Sequence, residues 1–200
     1  MGQRTQMLVL KENNKGERKA YFFHHQWGYG RNMYLTVMDI QTRDYFKETF
    51  AQGYSFLTSP ILGATDTKWY DITKDIPVEV LNAVDPDNFK SITDVFAYGD
   101  NDNGGIFVYI KEDEVAYHGA NIKIGFLLGE EDEESVYDGK LYNEGNGKAF
   151  ERWLTPAEYG RMNGGSIYSD PDFIAMFTQF CDYFGIEHYE PTAPTTADKE

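Results

Sequence analysis

Two kinds of apolar pattern alternate along this chain: short β-prone runs, and stretches in which apolar residues recur every three or four positions. Thr5 to Lys11 (TQMLVLK) and Lys19 to His25 (KAYFFHH) are of the first kind. ENNKGER lies between them with Asn, Asn and Gly, so the pattern predicts an N-terminal β-hairpin. The two glycines of HQWGYGR mark a loop or tight corner. From Asn32 to about Ala51, Leu35, Met38, Tyr45, Phe46 and Phe50 approximate helical spacing, and Gln52-Gly53 suits the end of that helix. Residues 54–75, punctuated by Pro60 and Gly63, predict loop with one short edge strand. Asp75-Ile76-Pro77 then opens a short helix through Val84, closed by a turn at Asp85 to Asn88.

Four short β-branched or aromatic runs follow: Ile92 to Tyr98, Gly105 to Lys111, Glu114 to His118 and Ile122 to Leu128. Turns rich in Gly, Asp and Asn separate them, which predicts an antiparallel meander that the N-terminal hairpin joins. The last third reads as helical. One helix is expected over Gly147 to Leu154. Thr155-Pro156-Ala157-Glu158 has the form of a capping box with Pro at the first helical position, and predicts a helix to about Met162. A third helix starts at Ser169-Asp170-Pro171. It carries Phe173, Phe177, Phe180 and Phe184 with Ile174 and Cys181 beside them, and stops at Gly185. The expected fold is therefore α+β: an antiparallel β-sheet with helices packed on one face, in a single domain over residues 1–190. The Pro/Thr-rich residues 191–200 are expected to form a disordered tail.

Composition narrows the function classes. The chain has 200 residues, 41% hydrophobic and 16% aromatic, too apolar and aromatic for a disordered protein. Its one cysteine, Cys181, rules out a disulfide scaffold and reads as a small buried hydrophobe. No apolar run approaches the length of a membrane span, and MGQRTQMLVLKENN lacks the pattern of a signal peptide. Gly2 is followed by Gln6 where myristoylation prefers Ser or Thr. A cytoplasmic protein without membrane attachment is expected.

The formal charge of −15 disfavours direct nucleic-acid binding. That charge is unevenly placed. Residues 1–100 hold 11 basic and 13 acidic side chains, and residues 101–200 hold 7 and 20. The acidity thus belongs almost entirely to the second half, where Glu130, Glu131, Asp132, Glu133 and Glu134 form an unbroken run with Asp138 close behind. A run of this kind is commonly a solvated loop. Within a half this acidic it is also a candidate partner-binding surface for a basic protein.

The densest cluster of chemically versatile residues lies in the nearly neutral half: His24-His25-Gln26-Trp27-Gly28-Tyr29-Gly30-Arg31. In strand geometry His24 and His25 point to opposite faces, so they cannot share a metal without a bend. Trp27 and Tyr29 offer stacking surface and Arg31 a bidentate cation, a mix suited to a nucleotide or another planar anion. The hairpin brings Thr5 near His25, so Arg4 is a candidate for the same ligand site. The plainer reading has the aromatics capping the core and the histidines bonding locally. Gly2-Gln3-Arg4 together with His24-His25-Gln26-Trp27-Gly28-Tyr29-Gly30 resembles a pattern in small, uncharacterised bacterial and phage proteins. The resemblance spans about the first 31 residues and implies no particular activity or catalytic residue.

Other templates are absent. Asp100-Asn101-Asp102-Asn103-Gly104-Gly105 evokes a calcium loop, but Lys111 stands where the bidentate Glu belongs, and a hairpin loop accounts for the same residues. Gly164-Gly165-Ser166 has the form of an anion nest but serves more simply as a helix break. There is no GxSxG, P-loop or strand-following GxGxxG, and the four histidines, His24, His25, His118 and His188, show no HxxxH spacing. No metal or cofactor is expected.

Two functions stay open. The first is an acidic, non-enzymatic binding or inhibitor protein occupying the basic surface of a nucleic-acid-binding enzyme, as small acidic phage anti-defence proteins such as anti-CRISPR inhibitors do. The second is a ligand-binding protein or enzyme for a small anionic or nucleotide ligand. There His24 or His25 would act as acid or base, Arg4 and Arg31 would hold the anion, and Trp27 or Tyr29 would stack.

Overall fold

The computed structural model describes residues 5–25, 33–34, 36–38, 69–99, 104–116, 119–127, 152–162 and 171–191. The expected hairpin forms between β1 (Thr5–Glu12) and β2 (Arg18–His25), with Asn13 organising the turn through side-chain bonds from the Lys15 and Glu17 amides. β3 (Trp69–Asp71) adds an antiparallel edge strand beside β2. Pro77 ends an extended approach and leads into α1 (Val78–Asn82). Next come α2 (Phe89–Phe96), the antiparallel pair β4 (Gly105–Glu112) and β5 (Ala120–Leu127), α3 (Pro156–Met162), α4 (Pro171–Phe184) and the two-residue β6 (Glu187–His188). Met33, Tyr34 and Thr36 to Met38 are also helical, the described part of the helix expected from Asn32.

The α+β reading holds, but the sheet is mixed rather than antiparallel. Its order is β3-β2-β1-β4-β5-β6, with β1 parallel to β4 and β5 parallel to β6. A parallel neighbour needs a crossover connection. The chain that carries α1 and α2 supplies one, and in doing so it covers a face of the sheet.

Helices consequently line both faces, not one. Met7 and Val9 share a core with Ile106, Val108, Ile124 and Phe126, closed by Tyr34, Tyr159 and the α4 residues Phe177 and Cys181. Leu8 and Leu10, with the opposite parity, share the second core with Phe22 and Phe107, closed by Ile92, Val95 and Phe96 of α2 together with Trp153 and Tyr189. β1 is apolar at successive positions because both its faces are covered.

The largest departure from the sequence reading is at Ile92 to Tyr98, expected as a strand and found as α2 and its C-terminal turn. Asn88 caps this helix, its side chain accepting from the Ser91 amide at 3.2 Å. Phe89, Ile92, Val95 and Phe96 recur at helical spacing and pack on the sheet. Glu114 to Ala116, expected as strand, instead turn the chain between β4 and β5. Asp100 to Asn103 lie outside the described residues, and the elements on either side of them are a helix and a strand rather than the two strands of a hairpin.

In the last third, Trp153 and Leu154 are extended rather than helical, with Leu154 bridging to Phe126. The Trp153 ring lies so close to Gly125 that a Cβ there would come within 2.2 Å of it. The capping box is present as expected. The Thr155 amide donates to Glu158 at 2.8 Å, and the Glu158 amide donates to the Thr155 hydroxyl at 3.1 Å. Residues 39–51, 147–151 and 192–200, over which a helix, a helix start and the tail were expected, lie outside the described residues.

Candidate functional site

Pairing of β1 with β2 places Thr5 opposite His25 and Gln6 opposite His24. β3 then sets Trp69 beside His25 and Tyr70 beside His24. Alternation along β2 sends the two histidines to opposite faces, as the strand geometry requires.

His25 turns inward. It is 1% exposed, and its ring meets Trp69 edge-on at 4.8 Å between centroids. Burial pushes its pKa down to about 4, with the nearby His24 adding to the effect. At neutral pH it is therefore an uncharged core side chain, poorly suited to holding an anion by charge. His24 is half-buried on the other face, where its Nδ1 accepts from the Gln6 amide nitrogen at 2.9 Å. In the neutral ring that bond leaves the proton on Nε2. Gln6 is itself fully buried and lies against the backbone at Gly99, where a Cβ would come within 2.7 Å of its side chain.

Of the ligand candidates, only His24 and His25 fall among the described residues. Arg4, Trp27, Tyr29 and Arg31 lie outside them, as do all the partner-binding candidates Glu130, Glu131, Asp132, Glu133, Glu134 and Asp138. The neighbours that define the histidine environments, Gln6 and Trp69, were not singled out from the sequence. The lone amide in the apolar run MLVL's approach was the available signal for Gln6. Trp69 comes from a distant segment, and only the pairing of β3 with β2 reveals it.

A second polar cluster, also missed, lies at the opposite end of the sheet. Glu12 is 6% exposed and takes three donors: Arg18 Nε at 2.6 Å, the Tyr109 hydroxyl at 2.9 Å and Lys111 Nζ at 3.4 Å. These partners, led by Arg18, hold its carboxyl below the ordinary range, while burial pushes Tyr109 up to about 12. The cluster satisfies its own charges and serves to fasten β1, β2 and β4 together.

Among the described residues no group of three His, Cys, Asp or Glu could hold a metal ion, and no helix is long and apolar enough to cross a membrane. Cys181 is buried on the core-facing side of α4, and burial pushes its thiol up to about 12. No protein-family model, curated protein or solved structure matches this chain.

Proposed function

We propose that the chain is an acidic cytoplasmic binding protein. It would occupy a positively charged protein surface, such as that of a nucleic-acid-binding enzyme, by presenting carboxylates where phosphates would lie. Small acidic inhibitors of the phage anti-defence type work by this principle. The observation that carries the reading is how the charges are disposed. Five of the described cations are drawn into ion pairs, Lys11 with Glu112, Arg18 and Lys111 with Glu12, Lys90 with Asp94, and Arg152 with Glu158, while Lys15, Lys19 and Lys74 are exposed. Carboxylates at Asp71, Asp75, Glu79, Asp87, Glu114, Asp172, Asp182, Glu187 and Glu190 stay exposed. Pairing removes carboxylates together with the cations and leaves the net balance acidic, in line with the formal charge of −15.

The competing ligand-site reading keeps one of its two candidate acid-base residues, His24, since His25 is buried. The test is capture from a cell lysate at low and high salt, followed by affinity measurements on the purified partner. Binding driven by this field weakens steeply as salt rises through the range that shortens the Debye length from about 10 Å to about 3 Å. An affinity indifferent to salt would sink the electrostatic reading.

A further inference from the structure

α4 carries more apolar surface than its own core uses. Ile174, Phe177, Cys181 and Phe184 form the stripe that meets the sheet, spaced three, four and three residues apart. Phe173, Met176, Phe180 and Tyr183 repeat the same spacing one position earlier, so they form a second stripe about 100° around the helix. A helix covering a sheet needs an apolar arc of roughly 100°. α4 has about twice that: Phe173 and Phe180 are half-buried against the same core, while Tyr183 and Met176 face outward, 81% and 43% exposed. Phe184 holds the end of this stripe in place, lying 4.6 Å from Phe180 and 4.9 Å from Tyr183 between ring centroids.

The charged residues described on and just after α4 are acidic, with Lys123 of β5 paired across from Glu187. Asp172, Asp182, Glu187 and Glu190 are exposed on and just after α4, and no Lys or Arg occurs between Arg161 and Lys199. The helix dipole adds negative character at the C-terminal end, beside Tyr183 and Glu187. A second copy of this chain would bring the same net acidity against it, whereas a cationic segment would be attracted.

Resting on the binding function proposed above, we infer that the outer stripe of α4 is a docking site for a basic amphipathic helix of the partner protein. Apolar anchors of that helix lie across Met176, Phe180 and Tyr183, and its Lys or Arg residues reach the flanking carboxylates. The unbranched Met176 adapts to the shape of the anchor.

The test uses the full chain and three synthetic peptides of equal charge. One has Leu and Lys in helical amphipathic register, one has the same composition scrambled, and one has Lys with Ser in place of Leu. The amphipathic peptide is expected to bind one to one, gain helicity, and lose at least tenfold in affinity to the M176Q/Y183Q variant. The scrambled and Leu-free peptides should bind more weakly and not distinguish the variant. Both substituted residues are exposed, and an unchanged melting curve verifies the fold. Equal binding of the amphipathic peptide to variant and native protein overturns the docking site. So does sedimentation showing that the native chain self-associates through this stripe and the variant does not. If all three peptides bind in a salt-sensitive manner without regard to the variant, only the docking site falls and the acidic reading stands. If no peptide binds at low salt, both fall.

Discussion

His25 is a side chain whose cost of burial becomes visible only in acid. In the unfolded chain it titrates near the ordinary histidine value of about 6.5, and in the fold near 4. The unfolded state therefore takes up a proton first as pH falls. Stability is intact above about 6.5, declines between there and about 4, and levels off for this group below that. The loss amounts to roughly 3 kcal/mol. Urea titrations at pH 7.5, 5.5 and 4.5 on the native chain and on His25→Leu measure it. The native chain should lose stability across that window and the variant should not, and parallel losses would assign the effect elsewhere. Glu12 acts lower on the scale. Its folded value lies beneath 4.5, so its contribution is present above that and disappears as pH falls through the depressed value. At this scale the sequence showed that the two histidines must diverge, since alternation is a local rule. It did not show that His25 meets Trp69, because they lie 44 positions apart and strand pairing decides the contact.

Legibility of the elements followed how local their determinants are. The β1–β2 hairpin and the Thr155–Glu158 box are set within a few residues, and both formed as read. Thr155→Ala removes one side of the box and should cost about 1 kcal/mol in a thermal or urea melt. α2 was misread because Ile92, Thr93, Val95 and Phe96 have strand-like composition. Its period and its Asn88 cap were present in the sequence, and packing on the sheet overrode β-propensity. Asn88→Ala should likewise cost about 1 kcal/mol, with the loss reported by amide exchange in α2. Gly125→Val tests the close approach between β5 and Trp153. The ring must leave its place, so the variant should melt lower and change the tryptophan fluorescence.

At the scale of the molecule, the mixed sheet was hidden for a specific reason. Four apolar positions in succession, Met7 to Leu10, belong to a strand buried on both sides, and two-sided burial is the mark of a central strand with a parallel neighbour. Such a run names no partner, so the pairing with β4 could not be read locally. The charge asymmetry, by contrast, was fully legible. What the structure adds is that Asp172, Asp182, Glu187 and Glu190, on and just after α4, are exposed beside Met176 and Tyr183, the features on which the docking proposal rests. Replacing Asp182 and Glu187 by their amides should weaken binding of the basic amphipathic peptide at low salt. Little difference from the native chain should remain in high salt, as a comparison of affinities across a salt series would show.

The parallel pairing of β1 with β4 also has a consequence in time. β1 is complete at Glu12, but the strand that covers its second edge ends at Glu112. At translation rates of about 5–20 residues per second, the ribosome needs roughly 5–20 s to supply it. During that interval the N-terminal hairpin exists with one edge of its most apolar strand unsatisfied, available to any other extended chain nearby. The expected outcome is a yield in the cell that responds to the speed of synthesis between residues 12 and 112 more than to changes of speed after them, as synonymous-codon variants of the two regions would show.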